Sequence, residues 1–232
     1  MSDEETPRTP IDRAFLTDDP HRTELILVRH GQQDFPSQDA AVEDWRDPPL
    51  TDRGERQAAA AGRALADEGI AAVYSSRLLR AHRTGMAVAE AHGLEVQVLE
   101  SLAEVHMFGY LQPHERPLDR ISETELEGAR RRFARERRWE VYPFTESSID
   151  FRRRVANSIE GIVAAHPGEK VVVACHGGVI NAYVADFVGI DADMFFRPAH
   201  ASIHRVLARH ERRVVLALNE LSHLRQDDLL SF

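Results

Sequence analysis

Two short apolar runs, each followed directly by a histidine and a glycine, place the strongest constraint on the fold of this chain. Residues 24–29 (ELILVR) lead to His30, and residues 170–175 (KVVVAC) lead to His176. Unbroken runs of leucine, isoleucine and valine are typical of strands that are buried on both faces, as in parallel sheets. The sequence therefore predicts two buried strands, each with a His-Gly pair at its carboxyl end.

The rest of the chain alternates between helical and strand patterns. Two prolines at 48–49 break the chain before a helical pattern, which Thr51 or Asp52 can cap. Further helical patterns span residues 77–93, 147–168 and 179–188, and strand patterns span residues 71–76, 94–100 and 201–221. The predicted buried stripe of the helix over 147–168 consists of Ile149, Val155, Ile159, Ile162 and Val163. This order predicts an α/β fold with three layers, a mostly parallel sheet with helices on both faces.

We predict a single domain over residues 23–232, preceded by a flexible, polar N-terminal tail over residues 1–22. Residues 105–146 break the alternation with prolines, aromatic residues and a dense arginine run, which predicts a helical insert acting as a lid. The arginine run over residues 130–139 either grips an anionic tail of the substrate or forms a solvated helix face. The second interpretation is favoured because charge runs are usually solvent faces.

Composition limits the partners, the compartment and the cofactors. The formal net charge of −9 disfavours binding to nucleic acid or to an anionic membrane, and no apolar run approaches the length of a membrane span. Cys175 is the only cysteine, and the N-terminus lacks the apolar segment of a secretory signal, which together predict a cytoplasmic protein. No HExxH pattern or tight carboxylate–histidine cluster occurs, so we predict no metal and no other cofactor. The sequence leaves open whether the chain forms a homo-oligomer.

The carboxyl ends of parallel strands meet at one edge of the sheet, where ligands bind in open α/β folds. If the two apolar strands are neighbours, His30 and His176 share one crevice, and the glycines after them expose backbone amides. Arg29 precedes the first histidine, and Arg80 lies in the first turn of a helix, where anions bind favourably. These groups predict a pocket for a tetrahedral dianion. A single histidine would more simply satisfy hydrogen bonds at a strand end.

Five motifs follow one another along the chain: LVRHGQQDF, PLTDRGERQA, YSSRLLRAHRT, LAEVHMFG and VVVACHGGVI. Together they resemble the histidine phosphatase superfamily, also called phosphoglycerate mutase-like, over residues 24–218. The RHG motif alone is a weak signal, but five motifs in order with plausible spacing are a strong one. The resemblance implies the fold of that family and a metal-independent phosphomonoesterase (phosphatase) that acts through a phosphohistidine intermediate on a small phosphorylated metabolite.

The resemblance also implies roles for individual residues. It makes His30 the nucleophile that becomes phosphohistidine, and Glu104, in the LAEV motif, the proton donor to the leaving alkoxide. Arg29, Arg80 and His176 would hold the phosphate oxygens, and these five residues form the implied catalytic set. Without the motif, Glu104 would be taken for a solvated carboxylate in a loop.

The predicted substrate-binding residues are Arg29, Gln33, Arg80, His176 and Gly177, the last through its backbone amide. The resemblance implies all of these except Gln33. Gln33 stands where family members often carry serine or threonine. Pro36 stands where they carry an asparagine that touches phosphate, and proline supplies neither that side chain nor a backbone N–H. The contact is either lost or replaced, with Gln33 as the candidate. The segment over residues 200–206 (HASIHRV) is interpreted as an edge of the pocket.

Two alternatives stay open. The same catalytic core would perform phosphoglycerate mutase-type phosphoryl transfer if the pocket held the dephosphorylated intermediate and returned the phosphoryl group to it. A non-catalytic phosphate-binding or scaffold protein would keep the fold without turnover. Pro36 and the unusual insert favour this last alternative, whereas the intact His30 and Glu104 argue against it. Residues 32–46 and 105–146 set the substrate, and neither segment carries a readable code for its identity.

Overall fold

A mixed sheet forms the centre of the structure, a computed structural model that describes residues 10–37 and 39–232. Within these residues the strands of the sheet are β1 (Thr23–Arg29), β2 (Ile70–Ser76), β3 (Val96–Leu99), β4 (Lys170–Cys175), β5 (Ile203–Arg209) and β6 (Arg212–Glu220). Their order across the sheet is β3-β2-β4-β1-β5-β6. The first four strands of this order pair in parallel, whereas β5 is antiparallel to both β1 and β6. The prediction of a mostly parallel sheet is confirmed.

Helices cover both faces of this sheet. In the described residues they are α1 (Pro10–Phe15), α2 (Val42–Arg46), α3 (Asp52–Leu65), α4 (Leu79–His92), α5 (Pro117–Arg120), α6 (Glu123–Glu136), α7 (Ser148–Ala165), α8 (Gly177–Val188) and α9 (Ser222–Arg225). Leu25 of β1 belongs to the core that contains Phe151 of α7, and the next residue, Ile26, belongs to the opposite core with Ala61 of α3. The predicted three-layer α/β fold is confirmed. No helix of this described part is both long enough and apolar enough to cross a membrane.

The start of α3 and the end of α4 lie at residues that the sequence predicts. The side-chain oxygen of Thr51 accepts a hydrogen bond from the backbone amide of Gly54 at 3.0 Å, and Asp52 is the first residue of α3. Of the two caps that the sequence predicts, Thr51 is therefore the one used. Helix α4 ends at Gly93, whose φ of +64° lies in the left-handed region that glycine enters without a steric penalty.

The buried stripe of α7 differs from the predicted one in its first turn. The sequence pattern predicts Ile149 on the core face, but its side chain is 75% exposed. Phe151 is buried instead, on the same face as Val155 and Ile159, which follow four and eight residues later. Ile149 precedes Phe151 by two residues, a rotation of about 200° around the helix, so the prediction for Ile149 is wrong.

Gly161 offers a test of what stabilises α7. It is exposed in the interior of the helix, and no atom lies within 4 Å of the position that a Cβ would take. Because alanine loses less backbone entropy than glycine, Gly161→Ala is expected to raise the free energy of unfolding by about 1 kcal/mol in a urea titration. Gly31→Ala is the contrasting control, since its Cβ would lie 2.3 Å from the carbonyl oxygen of Gly54 and should destabilise the protein. An unchanged value for G161A would contradict the expectation.

The predicted N-terminal tail and insert are described in part. Residues 1–9 lie outside the described residues, and the rest of the predicted tail contains α1 and the buried Leu16. The predicted insert over residues 105–146 contains α5, α6 and a 3-10 turn at Trp139–Val141. The domain boundaries, the flexibility of the tail and the action of the insert as a lid stay predictions.

The arginine run lies on and just after α6, and several of its ionic partners belong to the same helix. Arg131 is 3.7 Å from the carboxylate of Glu127, and Arg132 is 3.1 Å from that of Glu136, with both pairs separated by four residues and exposed. Exposed pairs of this kind contribute little to stability, because solvent screens their charges. The arrangement favours a solvated helix face over a grip on the substrate.

Candidate active site

Two histidines meet where β1 and β4 end. Arg29 and Cys175, the last residues of these strands, pair in register, and a histidine follows each of them. The ring centroids of His30 and His176 are 5.1 Å apart. The backbone amide of His30 donates to the carbonyl of Cys175 at 2.9 Å, and the carbonyl of His30 accepts from the amide of Ala201 at 3.1 Å. The structure thus brings together the two histidines that the sequence predicts to share a crevice.

The ring of His30 is held in one tautomer by the residue that follows it. Its Nδ1 lies 2.7 Å from the backbone carbonyl oxygen of Gly31, and because a carbonyl oxygen only accepts, Nδ1 carries the hydrogen. The Nε2 atom of the neutral ring therefore keeps its lone pair. Burial, and then the positive charge of Arg80, lower the pKa of His30 well below the ordinary value of histidine. At neutral pH the ring is uncharged, with a nucleophilic nitrogen at Nε2.

Arg29 and Arg80 supply the positive charge of this cluster. Nη1 of Arg29 donates to the carbonyl oxygen of Pro198 at 2.5 Å, and Nη1 of Arg80 donates to that of Arg46 at 3.2 Å. Asp47 lies 3.8 Å from Arg80 as its ionic partner. Burial lowers the pKa of Arg29 to about 10 and also lowers the pKa of Arg80. Both guanidinium groups still carry their charge at neutral pH.

Several buried nitrogen atoms of the cluster have no hydrogen-bond partner among the described residues. They are Nε of Arg29, Nε of Arg80, and both ring nitrogens of His176. An unpaired buried polar atom costs about 1–3 kcal/mol, so a group that satisfied these atoms would stabilise the site. Guanidinium forks match the oxygens of phosphate. Burial, followed by the charge of Arg80, lowers the pKa of His176, so this ring is neutral as well. This set of donors fits a tetrahedral oxyanion.

The carboxylate of Glu104 lies at the start of α8. Its Oε2 accepts a hydrogen bond from the backbone amide of Gly178, and its Oε1 accepts one from that of Val105, each at 3.0 Å. A Cβ at position 178 would lie 2.2 Å from Oε1, so only glycine leaves room for the carboxylate in this place. Burial lowers the pKa of Arg29 and of Arg80, and the charge of Glu104 opposes both shifts, which means that the carboxylate acts on both arginines.

The remaining predicted binding residues differ in their placement. The backbone of Gly177 borders the cluster, since a Cβ there would lie 3.6 Å from Nε of Arg29. Gln33 pairs with Leu50 in an isolated antiparallel bridge, and within the described residues no hydrogen bond joins its side chain to the histidines or arginines of the cluster. The phosphate contact expected of Gln33 stays a prediction, as do the roles assigned to the other site residues.

A third imidazole, that of His200, packs beside His30, with ring centroids 6.0 Å apart. Its Nδ1 lies 2.9 Å from Oγ of Ser231, and its backbone amide donates to the carbonyl of Ser231 at 2.9 Å. The side-chain amide of Gln57 donates to the same hydroxyl oxygen at 2.8 Å. The sequence indicates residues 200–206 only as an edge of the pocket. It carries no signal for the contact with Ser231, because these segments are joined only by the fold.

His204 of β5 belongs to a chain of hydrogen bonds beneath this side of the site. Its Nδ1 accepts from the backbone amide of Asn219 at 3.1 Å, so Nε2 carries the hydrogen and faces the hydroxyl oxygen of Ser202 at 2.9 Å. That hydroxyl donates to the carbonyl of Ala199 at 2.7 Å. Burial lowers the pKa of His204, and likewise that of His200, to about 3. Both rings are neutral in the folded protein.

The buried neutral histidines are expected to make the protein lose stability in mild acid. The folded-state pKa of His204 lies below its unfolded-state value of about 6.5, so the unfolded chain binds the proton first as the pH falls. The stability is therefore complete above about pH 6.5 and declines toward about pH 3. The expected loss is roughly 2 kcal/mol per histidine between about pH 7 and pH 5.

Urea titrations at about pH 7 and pH 5 measure this loss as the difference between two free energies of unfolding. In His204→Gln this difference should shrink by roughly 2 kcal/mol, because the unfolded variant has no imidazole at position 204 to bind a proton. His114 is an exposed histidine, and His114→Gln serves as the matched control that leaves the difference unchanged. Equal losses in H204Q and the wild type would contradict the expectation.

Comparison with known proteins identifies the family. A family model described as the histidine phosphatase superfamily (branch 1) matches residues 25–221, which is most of the chain. The chain belongs to the histidine phosphatase superfamily. The family predicted from the five motifs is therefore confirmed.

Relatives of this chain carry different names. "Phosphoserine phosphatase 1" of Hydrogenobacter thermophilus is 28% identical over 214 residues, covering 86% of this chain and 93% of the relative. "Probable phosphoglycerate mutase GpmB" of Cronobacter sakazakii is 30% identical over 185 residues, covering 79% and 84%. A mycobacterial glucosyl-3-phosphoglycerate phosphatase, solved in complex with VO3, superimposes with a TM-score of 0.68 at 25% identity, covering 84% and 98%. The residues matched by the family model extend from within β1 to beyond the end of β6.

Proposed function

We propose that this chain is a metal-independent phosphomonoesterase that acts through a phosphohistidine intermediate on a small phosphorylated metabolite. One observation carries the proposal. His30 presents a neutral Nε2 in a cluster where the arginines and His176 have unpaired buried nitrogens. Fixed cations of this kind stabilise the charge of a transferring phosphoryl group. The relatives named as phosphatases support the same class of reaction.

In the first step, Nε2 of His30 attacks the phosphorus atom, and a P–N bond forms while the ester P–O bond breaks. Arg29, Arg80 and His176 bind the three peripheral oxygens, over which the negative charge spreads. Glu104 in its protonated form gives its proton to the departing alkoxide. Proton transfer of this kind typically contributes about 100-fold to 10,000-fold. The products of this step are the free alcohol and phosphohistidine.

In the second step, the carboxylate of Glu104 accepts a proton from a water molecule, whose oxygen attacks the phosphorus atom. An O–P bond forms, the N–P bond breaks, and His30 returns to its neutral form. Glu104 regains the proton that it lost in the first step, so that the net reaction converts a monoester and water into an alcohol and inorganic phosphate. Because one carboxylate acts first as the acid and then as the base, its position governs both steps.

Phosphoglycerate mutase-type transfer is the second candidate, favoured by the relative at 30% identity whose name contains that activity. The first step is the same in both reactions, and they differ in whether water or the retained intermediate takes the phosphoryl group from His30. Incubation with 3-phosphoglycerate and a trace of the bisphosphate separates them. Free phosphate would support the phosphatase, and 2-phosphoglycerate would support the mutase.

A screen of phosphorylated metabolites with the purified protein tests the substrate class. Release of inorganic phosphate from one small monoester, with a kcat/KM well above that of the others, would identify the substrate. If no monoester released phosphate, 4-nitrophenyl phosphate included, the proposed activity would be wrong. Phosphate binding without phosphohistidine would then favour the scaffold alternative. The cytoplasmic location stays a prediction, and the oligomeric state stays open.

A further inference from the structure

Arg154 of α7 is tied to the main chain that carries Glu104. Its Nη1 donates to the carbonyl oxygens of Ser101 at 2.9 Å and Ala103 at 2.6 Å, and its Nη2 donates to that of Glu104 itself at 3.0 Å. Three carbonyls of one short loop therefore converge on one guanidinium group. Hydrogen bonds from a charged donor are stronger than those between neutral groups, so the loop is held firmly at this point.

A second contact fixes Arg154 from the opposite side. Nε and Nη2 bind the two carboxylate oxygens of Glu146 at 2.7 Å and 2.9 Å, a bidentate pair in which both side chains are largely buried. The same carboxylate accepts a hydrogen bond at 3.2 Å from the backbone amide of His106, two residues after Glu104. The guanidinium group also lies over the ring of Phe151, with its carbon 4.8 Å from the centroid. The loop is thus held on both sides of Glu104.

We infer that Arg154 is a positioning residue for Glu104. Its hydrogen bonds fix the backbone of residues 101–106, and that backbone determines whether the carboxylate reaches the amide of Gly178. None of the hydrogen bonds of Arg154 reaches His30 or His176. Its positive charge helps to lower the pKa of His176, after burial and the charges of Arg80 and Arg29, and a lysine in its place keeps that charge. What the arginine adds beyond its charge therefore acts on the reaction through the placement of Glu104. The inference rests on the proposed function, because it matters to catalysis only if Glu104 moves the proton.

Lysine in place of Arg154 separates the charge from the geometry. A lysine keeps the positive charge but has one nitrogen with three donors, which cannot serve three carbonyls and a bidentate carboxylate together. Arg153 provides the matched control. It is the next residue along α7, it is exposed, and it binds Asp150 on the surface, so Arg153→Lys makes the same chemical change away from the loop.

The test compares kcat/KM for phenyl phosphate and 4-nitrophenyl phosphate, two substrates of similar shape. The value of kcat/KM reports the steps up to departure of the alcohol. Phenolate is a stronger base than 4-nitrophenolate, so its departure depends more on receiving a proton. We expect R154K to lower kcat/KM for phenyl phosphate by about 10-fold to 100-fold, and that for 4-nitrophenyl phosphate by less than about threefold. Glu104→Gln should show the same selectivity, and R153K should lower neither value.

A double variant tests whether Arg154 acts through Glu104. In E104Q/R154K the second change should add no further loss, because the proton donor that it positions is already gone. If R154K lowered both substrates equally, or if the two losses multiplied in the double variant, the inference about Arg154 would be overturned and the proposed function would stand. If E104Q itself failed to discriminate between the substrates, the role of Glu104 in the proposed function would be wrong, and the inference would fall with it.

Discussion

His30→Ala is expected to abolish the hydrolysis of 4-nitrophenyl phosphate, a loss on the order of 10,000-fold to a million-fold. The reason is that the carbonyl of Gly31 holds the hydrogen of His30 on Nδ1, which leaves the lone pair on Nε2, beside the unpaired nitrogens of the site. His176 is not expected to replace it, because no hydrogen bond among the described residues fixes the tautomer of that ring. Release of 4-nitrophenolate measures the rate directly.

Capture of radiolabelled phosphorus on the protein shows whether the loss is chemical. The wild type should retain label in an acid-labile, base-stable form after quenching, and H30A should retain none. His114→Ala, at an exposed histidine, is the control that keeps both label and activity. Substantial hydrolysis by H30A, or label on the H30A protein, would refute the role of His30 as nucleophile.

Gly178→Ala is expected to lower kcat/KM for phenyl phosphate by about 100-fold without unfolding the protein. The added Cβ would lie 2.2 Å from Oε1 of Glu104, and a flexible carboxylate yields to a fixed methyl group by rotating away. The hydrogen bond from the amide of Gly178 to Oε2 would then be lost. The proposed proton donation would weaken, whereas the nitrogens proposed to bind phosphate would keep their places.

The same experiment separates displacement of Glu104 from general damage to the fold. Gly161→Ala puts an identical methyl group on the exposed side of α7 and should leave kcat/KM unchanged. Hydrolysis of 4-nitrophenyl phosphate by G178A should fall much less than that of phenyl phosphate, because its leaving group needs little help. Full activity of G178A toward phenyl phosphate would mean that the carboxylate seen at this position has no part in the reaction.

The sheet and the convergence of His30 and His176 follow from local patterns in the sequence. Apolar runs give the strands, and a parallel sheet places their carboxyl ends side by side. The wrong prediction for Ile149 also came from a local pattern. It failed because the first turn of a helix offers too few residues to fix which face is buried. Periodicity therefore predicts layers well and the ends of helices poorly.

The contacts that hold the site residues in place could not be predicted from local sequence patterns. The contacts of Arg154 with the loop of Glu104, and of Ser231 with His200, join parts of the chain that only the fold brings together. In the sequence, Arg154 is one of three consecutive arginines with nothing to distinguish it. Glu104 itself was recognisable only through its motif, because a carboxylate in a loop has no periodic signal.

The backbone of His30 is bonded on both sides, to Cys175 and to Ala201, which makes this residue a continuation of the central sheet. Hydrogen exchange at its amide then requires the middle of the sheet to open, at a free energy close to that of global unfolding. The imidazole is consequently in place as soon as the chain has folded. A substrate would therefore meet an imidazole whose backbone is already held by the sheet.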